Sequence, residues 1–187
     1  GAQIDAAHVA AALRRLDAAA LESYVAAVQA LGPTATPDTE LRELTAPLER
    51  ALAAGPSVTL DPVRFALDGE PFTGRLEIVT DTAALPAAGT LDFADPAALL
   101  GIFDGSANVE LSKKLAQNAA RLAIQAQYAN DPAMPPAQAR LLAEAQSGLM
   151  LVALVAQGFL EDAGSAYRAE LRAADGAVTV NGTPLPF

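Results

Sequence analysis

Few side chains in this sequence have the types and spacing for covalent chemistry. His8 is the single histidine, so a serine-type triad would have to be built on it, and no serine stands in a nucleophile-elbow context to match it. Cysteine is absent, which removes a thiolate nucleophile, a cysteine-ligated zinc and any disulfide. One histidine and no EF-hand loop leave no metal site to assign. No glycine-rich loop is followed by Lys-Ser or Lys-Thr, and no glycine set forms a dinucleotide fingerprint after a strand. The expectation is a chain with no catalytic residues, no cofactor and no metal.

The charged residues fit turns and helix ends better than a reaction centre. Glu161-Asp162 and Asp175 fall in expected turns, where acids cap or hydrate the backbone. A carboxylate-dependent hydrolase needs only two acids at a set separation, and 22 acidic side chains make this a second alternative function. Lys113-Lys114 are the only lysines and open an expected helix, an end where the macrodipole disfavours cations. Acidic neighbours around a solvated helix end account for them. Asn181-Gly182-Thr183 matches a glycosylation sequon, and a short turn after a strand explains it as well.

Composition sets the class. The chain has 187 residues, 12 basic against 22 acidic side chains and a net charge of -10, with a pI near 4.4. Such a surface repels a phosphate backbone, so nucleic acid is excluded as a partner. The 52% hydrophobic content and mean hydropathy of +0.25 are inflated by alanine. The most apolar run, Gly148 to Ala156, is shorter than the roughly 20 residues a span requires, so no membrane span is expected. Length suits a single domain over 1–187. The opening Gly1-Ala2-Gln3 reads as the boundary of a fragment.

The elements follow from periodicity and breakers. Val9, Ala11 and Leu13 alternate as a short strand, the alternative being a backward extension of the next helix to Asp5. Asp17 caps a helix carrying Leu21, Tyr24, Val25, Val28 and Leu31 up to Gly32-Pro33, and Leu41, Leu44, Leu48 and Leu52 give a second helix ending at Gly55-Pro56. Val63, Phe65 and Leu67, then Phe72, Leu76 and Ile78, make a hairpin about Asp68-Gly69 with one wet face. A loop over 80–90 leads to a short apolar turn, Ala97 to Phe103. A third strand follows with Ala107, Val109 and Leu111, and Ser112 caps a helix whose seam is read as Leu115, Ala119, Leu122, Ala126 and Ala129. After a turn at Asn130-Asp131-Pro132 a helix from about Ala137 to Gln157 returns, apolar on nearly all sides and therefore expected between layers. Gly158 caps it, a loop holds Glu161 to Gly164, and Asp175-Gly176 turns a last hairpin. The expected fold is α+β: a mainly antiparallel sheet with several helices packed on one face, including a long C-terminal helix pair.

Small residues in the Leu115 seam permit close approach, and the apolar excess from Leu149 to Val155 exceeds what one sheet face covers. Leu115, Leu122, Leu149, Leu151 and Val155 are therefore the candidate interaction or ligand surface. Polar-faced strands at a sheet edge offer strand addition as another route to partners.

The run Gly105 to Leu115, two long helices, Val155 to Glu161, Tyr167 to Leu171, and the closing Asn181-Gly182-Thr183-Pro184-Leu185-Pro186 together resemble the end of the bacterial YdgA-like family of unknown function. Leu16 to Leu21 is similar to that family's passage from strand to helix, so the resemblance spans residues 8 to 187. Thr183 stands where family members often carry lysine. The resemblance implies the C-terminal periplasmic fragment of a longer protein anchored in the inner membrane, and it implies no catalytic residue. The function expected is that of a non-catalytic cell-envelope domain working through protein interaction, as a homodimer or with an envelope partner. The alternative is an apolar ligand or lipid held in a groove between sheet and helices.

Overall fold

The computed structural model describes residues 3–30, 37–93, 95–128 and 134–185, and the side chains of these apart from 37–43. In chain order the elements are β1 (Ile4–Arg14), α1 (Ala18–Ala30), α2 (Pro37–Ala53), β2 (Ser57–Leu67), β3 (Glu70–Thr80), α3 (Pro96–Gly101), β4 (Phe103–Ser112), α4 (Lys113–Tyr128), α5 (Pro136–Ala156), β5 (Glu161–Asp162), β6 (Ala166–Ala174), β7 (Ala177–Val180) and β8 (Thr183–Pro184). The strands form one antiparallel sheet in the order β1-β2-β3-β4-β6-β7-β8, with β5 beside the first half of β6. The fold is α+β, as the alternation and breakers predict.

Three hairpin turns have a common cause. Asp68-Gly69, Asp175-Gly176 and Asn181-Gly182 all hold positive φ at both positions, 52° and 78°, 51° and 74°, and 48° and 79°. That pair of left-handed residues follows the twist of the flanking strands, and Asp or Asn before Gly is the sequence that tolerates it. The Asn181 turn adds β8, so the sequon residues are spent on a tight hairpin. Asn181 is tied further, its side-chain oxygen accepting from Glu170 N at 2.7 Å.

Helix starts follow the same logic. Asp17 Oδ1 accepts from Ala20 N at 3.1 Å, Asp95 Oδ1 from Ala97 N at 2.9 Å and Ser112 Oγ from Leu115 N at 3.1 Å. Each satisfies a backbone N–H that has no partner within its helix. Pro135 and Pro136 open α5 without a side-chain cap. The stops expected at Gly32-Pro33 and the turn at Asn130-Asp131-Pro132 lie outside the described residues.

The sheet register sorts its side chains onto two faces. Phe72, Leu111 and Tyr167 stand in one cross-strand row, and Leu60, Leu76, Ala107 and Leu171 in another. Phe65 stacks on Phe72 with ring centroids 4.5 Å apart. Over the Leu111–Tyr167 end of this apolar face lie α4 and α5, where Ala116, Ala120 and Leu151 form a buried cluster with Leu111, Leu154, Leu160 and Tyr167 packed against it.

Three expectations are corrected. The α4 seam is Leu115, Ala116, Ala120 and Ile124, whereas Ala119, Leu122 and Ala126 face solvent; Ala129 lies outside the described residues. The helix α5 is not enclosed: it buries Ala139, Ala143, Ser147 and Leu151, one residue per turn, half-buries Leu142, Leu154 and Val155, and leaves most of the rest exposed. The reason is the same in both, since alanine on every side of a helix carries no phase. Finally, Glu161 and Asp162 are not loop but the short strand β5, paired with Tyr167 and Arg168.

Candidate interaction surfaces and a polar groove

Of the five candidate residues, Leu115 and Leu151 are core, 8% and 7% exposed, and Val155 is half-buried. Leu122 and Leu149 are 61% and 72% exposed. The helix α5 adds Leu141 and Val152, 68% and 66% exposed. Leu141, Leu149 and Val152 are eight and eleven residues apart, which places them along one side of a helix with 3.6 residues per turn. By length and composition α5 could cross a bilayer, with mean hydropathy 1.4 over its most apolar 18 residues and 22% of that window buried. Its inner face is committed to α4, where small side chains let the two backbones approach. Ser147, 1% exposed, satisfies its hydroxyl by donating to Glu144 O at 3.1 Å.

The opposite face of the sheet is polar. Register lines up Arg64, Thr73, Glu110 and Arg168 across β2, β3, β4 and β6, with Glu161 of β5 continuing the row. A second row runs Arg75, Asn108 and Glu170. Between them is an open groove of about 380 Å³ that also reaches Asp61 and Asn181. Alternation along each strand marks most of these residues as wet, but only the pairing brings them together.

The acids in this groove are poor candidates for a hydrolase. Arg168 Nε donates to Glu110 Oε2 at 2.8 Å, Arg172 Nε to Glu170 Oε1 at 2.6 Å, and Arg75 Nε lies 3.5 Å from Asp61 Oδ2. Each of these carboxylates is already engaged by an arginine. The three carboxylates are 43–46% exposed, whereas carboxylates that do acid–base chemistry are commonly set in desolvated pockets. Among the described residues no set of three or more His, Asp and Glu could hold a metal ion.

At the end of the sheet, the two lysines are clasps. Lys113 Nζ lies 2.7 Å from Asp162 Oδ2 and 5.3 Å from the centroid of the Tyr167 ring. Lys114 Nζ lies 2.9 Å from Glu70 Oε1, and Ser112 Oγ donates to the other oxygen of that carboxylate at 2.7 Å. These hydrogen bonds hold Asp162 and Glu70 below their ordinary carboxylate range and raise both lysines.

An apolar cleft lies elsewhere than between sheet and helices. The second half of α2 presents Ala46, Glu49 and Ala53 to the 81–91 loop, where Leu85, Pro86 and Leu91 complete a space of about 590 Å³. Glu49 fastens this loop, its carboxylate accepting from Gly89 N at 2.6 Å and Leu91 N at 3.1 Å. Nothing in the chain's periodicity marks this cleft, because it depends on a loop fold.

With this geometry in view, residues 1–187 match a family described as bacterial protein of unknown function, DUF945. The chain belongs to this family. A DUF945 match over the whole chain is compatible with the YdgA-like resemblance, and it carries no sign of catalysis. No curated protein and no solved structure matches the chain. The arrangement of this DUF945 domain therefore rests on its own residues: a polar sheet face, an apolar cleft at α2 and an uncovered side of α5.

Proposed function

We propose that this chain is a non-catalytic domain of the bacterial cell envelope, on the periplasmic side, that works through protein contacts, its own self-association included. The observation that carries this reading is the outer side of α5, where Leu141, Leu149 and Val152 are each about two-thirds exposed on one helix. Isolated exposed apolar residues are ordinary on a soluble protein, but three aligned over three turns form a continuous patch of the kind that partners cover. The periplasmic setting is supported by the YdgA-like run closing in Asn181-Gly182-Thr183-Pro184.

Light scattering behind size exclusion, at several protein concentrations, tests this. Association in the native chain that is weakened in a Leu149→Glu/Val152→Glu variant with unchanged circular dichroism is the expected outcome. A native chain that stays monomeric and crosslinks to no envelope protein in cells would overturn it.

A second reading is favoured by the cleft between α2 and the 81–91 loop, whose volume lies in the range of small-molecule pockets. Under that reading the domain carries an apolar ligand there. Native mass spectrometry of the purified protein showing no bound mass, before and after incubation with a fatty acid, would dismiss it.

A further inference from the structure

The two edges of the sheet are built differently. On the far side β8 is two residues long and ends in Pro184, which has no N–H to offer, so that edge is blunted. On the near side β1 runs eleven residues with β2 on one flank and nothing on the other among the described residues. From Ala6 to Leu13 it holds no lysine, proline or acid, and His8 is its one titratable group. Natural edge strands are protected by charge, proline, brevity or bulges, and over this stretch β1 has only the bulge at Ala6, at one end. Its apolar side chains are exposed as well: Ile4 at 66%, Val9 at 57% and Leu13 at 57%.

The pattern of β1 is self-complementary when reversed. Pairing with β2 puts Ala7, Val9, Ala11 and Leu13 on the apolar face and Asp5, His8, Ala12 and Arg14 on the polar one, with Ala6 standing out of the ladder at φ 38°. If a second β1 is laid antiparallel with Ala10 opposite Ala10, the faces match. Val9 then meets Ala11 and Ala7 meets Leu13. Because Ala6 is skipped, Asp5 falls opposite Arg14, and the two-fold axis makes this contact twice. Arg14 has no ion pair within the chain among the described residues, and Asp5 spends one oxygen on Gly69 N at 3.2 Å. Directly opposed unlike charges favour such a register and opposed like charges disfavour it. A one-residue slip would set apolar against polar faces.

We infer that β1 is a homotypic docking edge: two copies of this chain join by antiparallel β1–β1 pairing centred on Ala10, continuing one sheet through both. The inference rests on the self-association reading above but uses a different surface from α5. The partner is a second copy because the reversed strand satisfies its own charges and its own faces.

The absence of native cysteine makes the test direct. Opposed residues of an antiparallel pair have Cα atoms about 4.5 to 5.5 Å apart, within disulfide range. Ala10→Cys should therefore give a disulfide-linked dimer on mild oxidation, while Leu13→Cys, displaced from the axis by three residues in each copy, should stay monomeric. Arg14→Glu should reduce the Ala10→Cys crosslinking yield several-fold, and adding Asp5→Lys should restore it. Equal crosslinking at positions 10 and 13, or none at position 10 in a protein that Leu149→Glu/Val152→Glu shows to associate through α5, would overturn the β1 pairing and leave the α5 reading standing. Crosslinking at position 10 with no effect of the α5 variant would do the reverse.

Discussion

Lys114 Nζ lies 2.9 Å from Glu70 Oε1, so the first turn of α4 is fastened to the first residue of β3. The helix start disfavours a cation there, and the carboxylate on the neighbouring strand offsets that field. Lys113 and Asp162 repeat the arrangement toward β5. Together they fix the end of the helix pair over the Leu111–Tyr167 part of the sheet.

Acid should loosen these clasps in a defined direction. Glu70 is held low first by the Lys114 hydrogen bond and then by Ser112; Asp162 is held low first by Lys113 and then by the Gly164 N–H. A carboxyl whose folded pKa is depressed contributes stability that is present above its unfolded value, 4.5 and 3.8 here, and is lost as pH falls through the lower folded value. The raised lysines contribute below 10.5 and lose that contribution as pH rises through their higher folded values. Urea midpoints measured from pH 6 to 3 should fall less steeply in Glu70→Gln than in the native chain. Because the pairs are solvent-exposed, 1 M salt should narrow the difference. Parallel acid limbs at low salt would show that the clasp carries no linkage.

Ser112 works on both sides of the strand-to-helix junction. Its oxygen accepts from Leu115 N, and its hydroxyl donates to Glu70. Ser112→Ala should cost about 1 kcal/mol of unfolding free energy, the usual worth of an N-cap, and Ser112→Asp should recover the cap while repelling Glu70. Chemical denaturation of the two variants separates the roles.

Thr80 offers the opposite sign. It is 4% exposed, and its hydroxyl has no hydrogen-bond partner among the described residues. A buried unsatisfied hydroxyl costs of order 1 kcal/mol or more, and valine has nearly the same shape without it. Thr80→Val should raise the melting temperature by several degrees. A lower melting temperature would mean that a water serves this hydroxyl.

The sequence was most legible where a residue type answers a backbone need. Asp-Gly and Asn-Gly marked all three tight turns because few other pairs accept two left-handed residues. Asp17 and Ser112 marked helix starts because each supplies an oxygen to an orphan N–H, whereas the segment expected as an apolar turn from Ala97 to Phe103 is the short helix α3, capped by Asp95. Phase in the helices was not legible. Alanine at 116, 119, 120 and 126 fits any seam, and only tertiary packing selects 116 and 120. The polar groove was half legible: alternation marked Arg75, Asn108, Glu110, Arg168 and Glu170 as wet, while the register that gathers them is a property of strand pairing.

The sharpest consequence of the corrected phase concerns adjacent residues of α5. Leu151 is 7% exposed in the cluster with Ala116 and Ala120, while Val152 is 66% exposed. Leu151→Ala removes buried methyl groups from a cluster whose other buried members, Ala116 and Ala120, have no bulk with which to refill the space, while Leu111, Leu154, Leu160 and Tyr167 lose a packing partner. The expected cost is about 2 to 3 kcal/mol. Val152→Ala should stay within about 0.5 kcal/mol, as surface changes do. The readouts should cross over in association: light scattering should report weaker self-association for Val152→Glu at unchanged stability, and native association for Leu151→Ala at temperatures where it remains folded. If both variants instead lose stability equally, α5 is enclosed in solution, and its outer side is already covered by a partner in the purified protein.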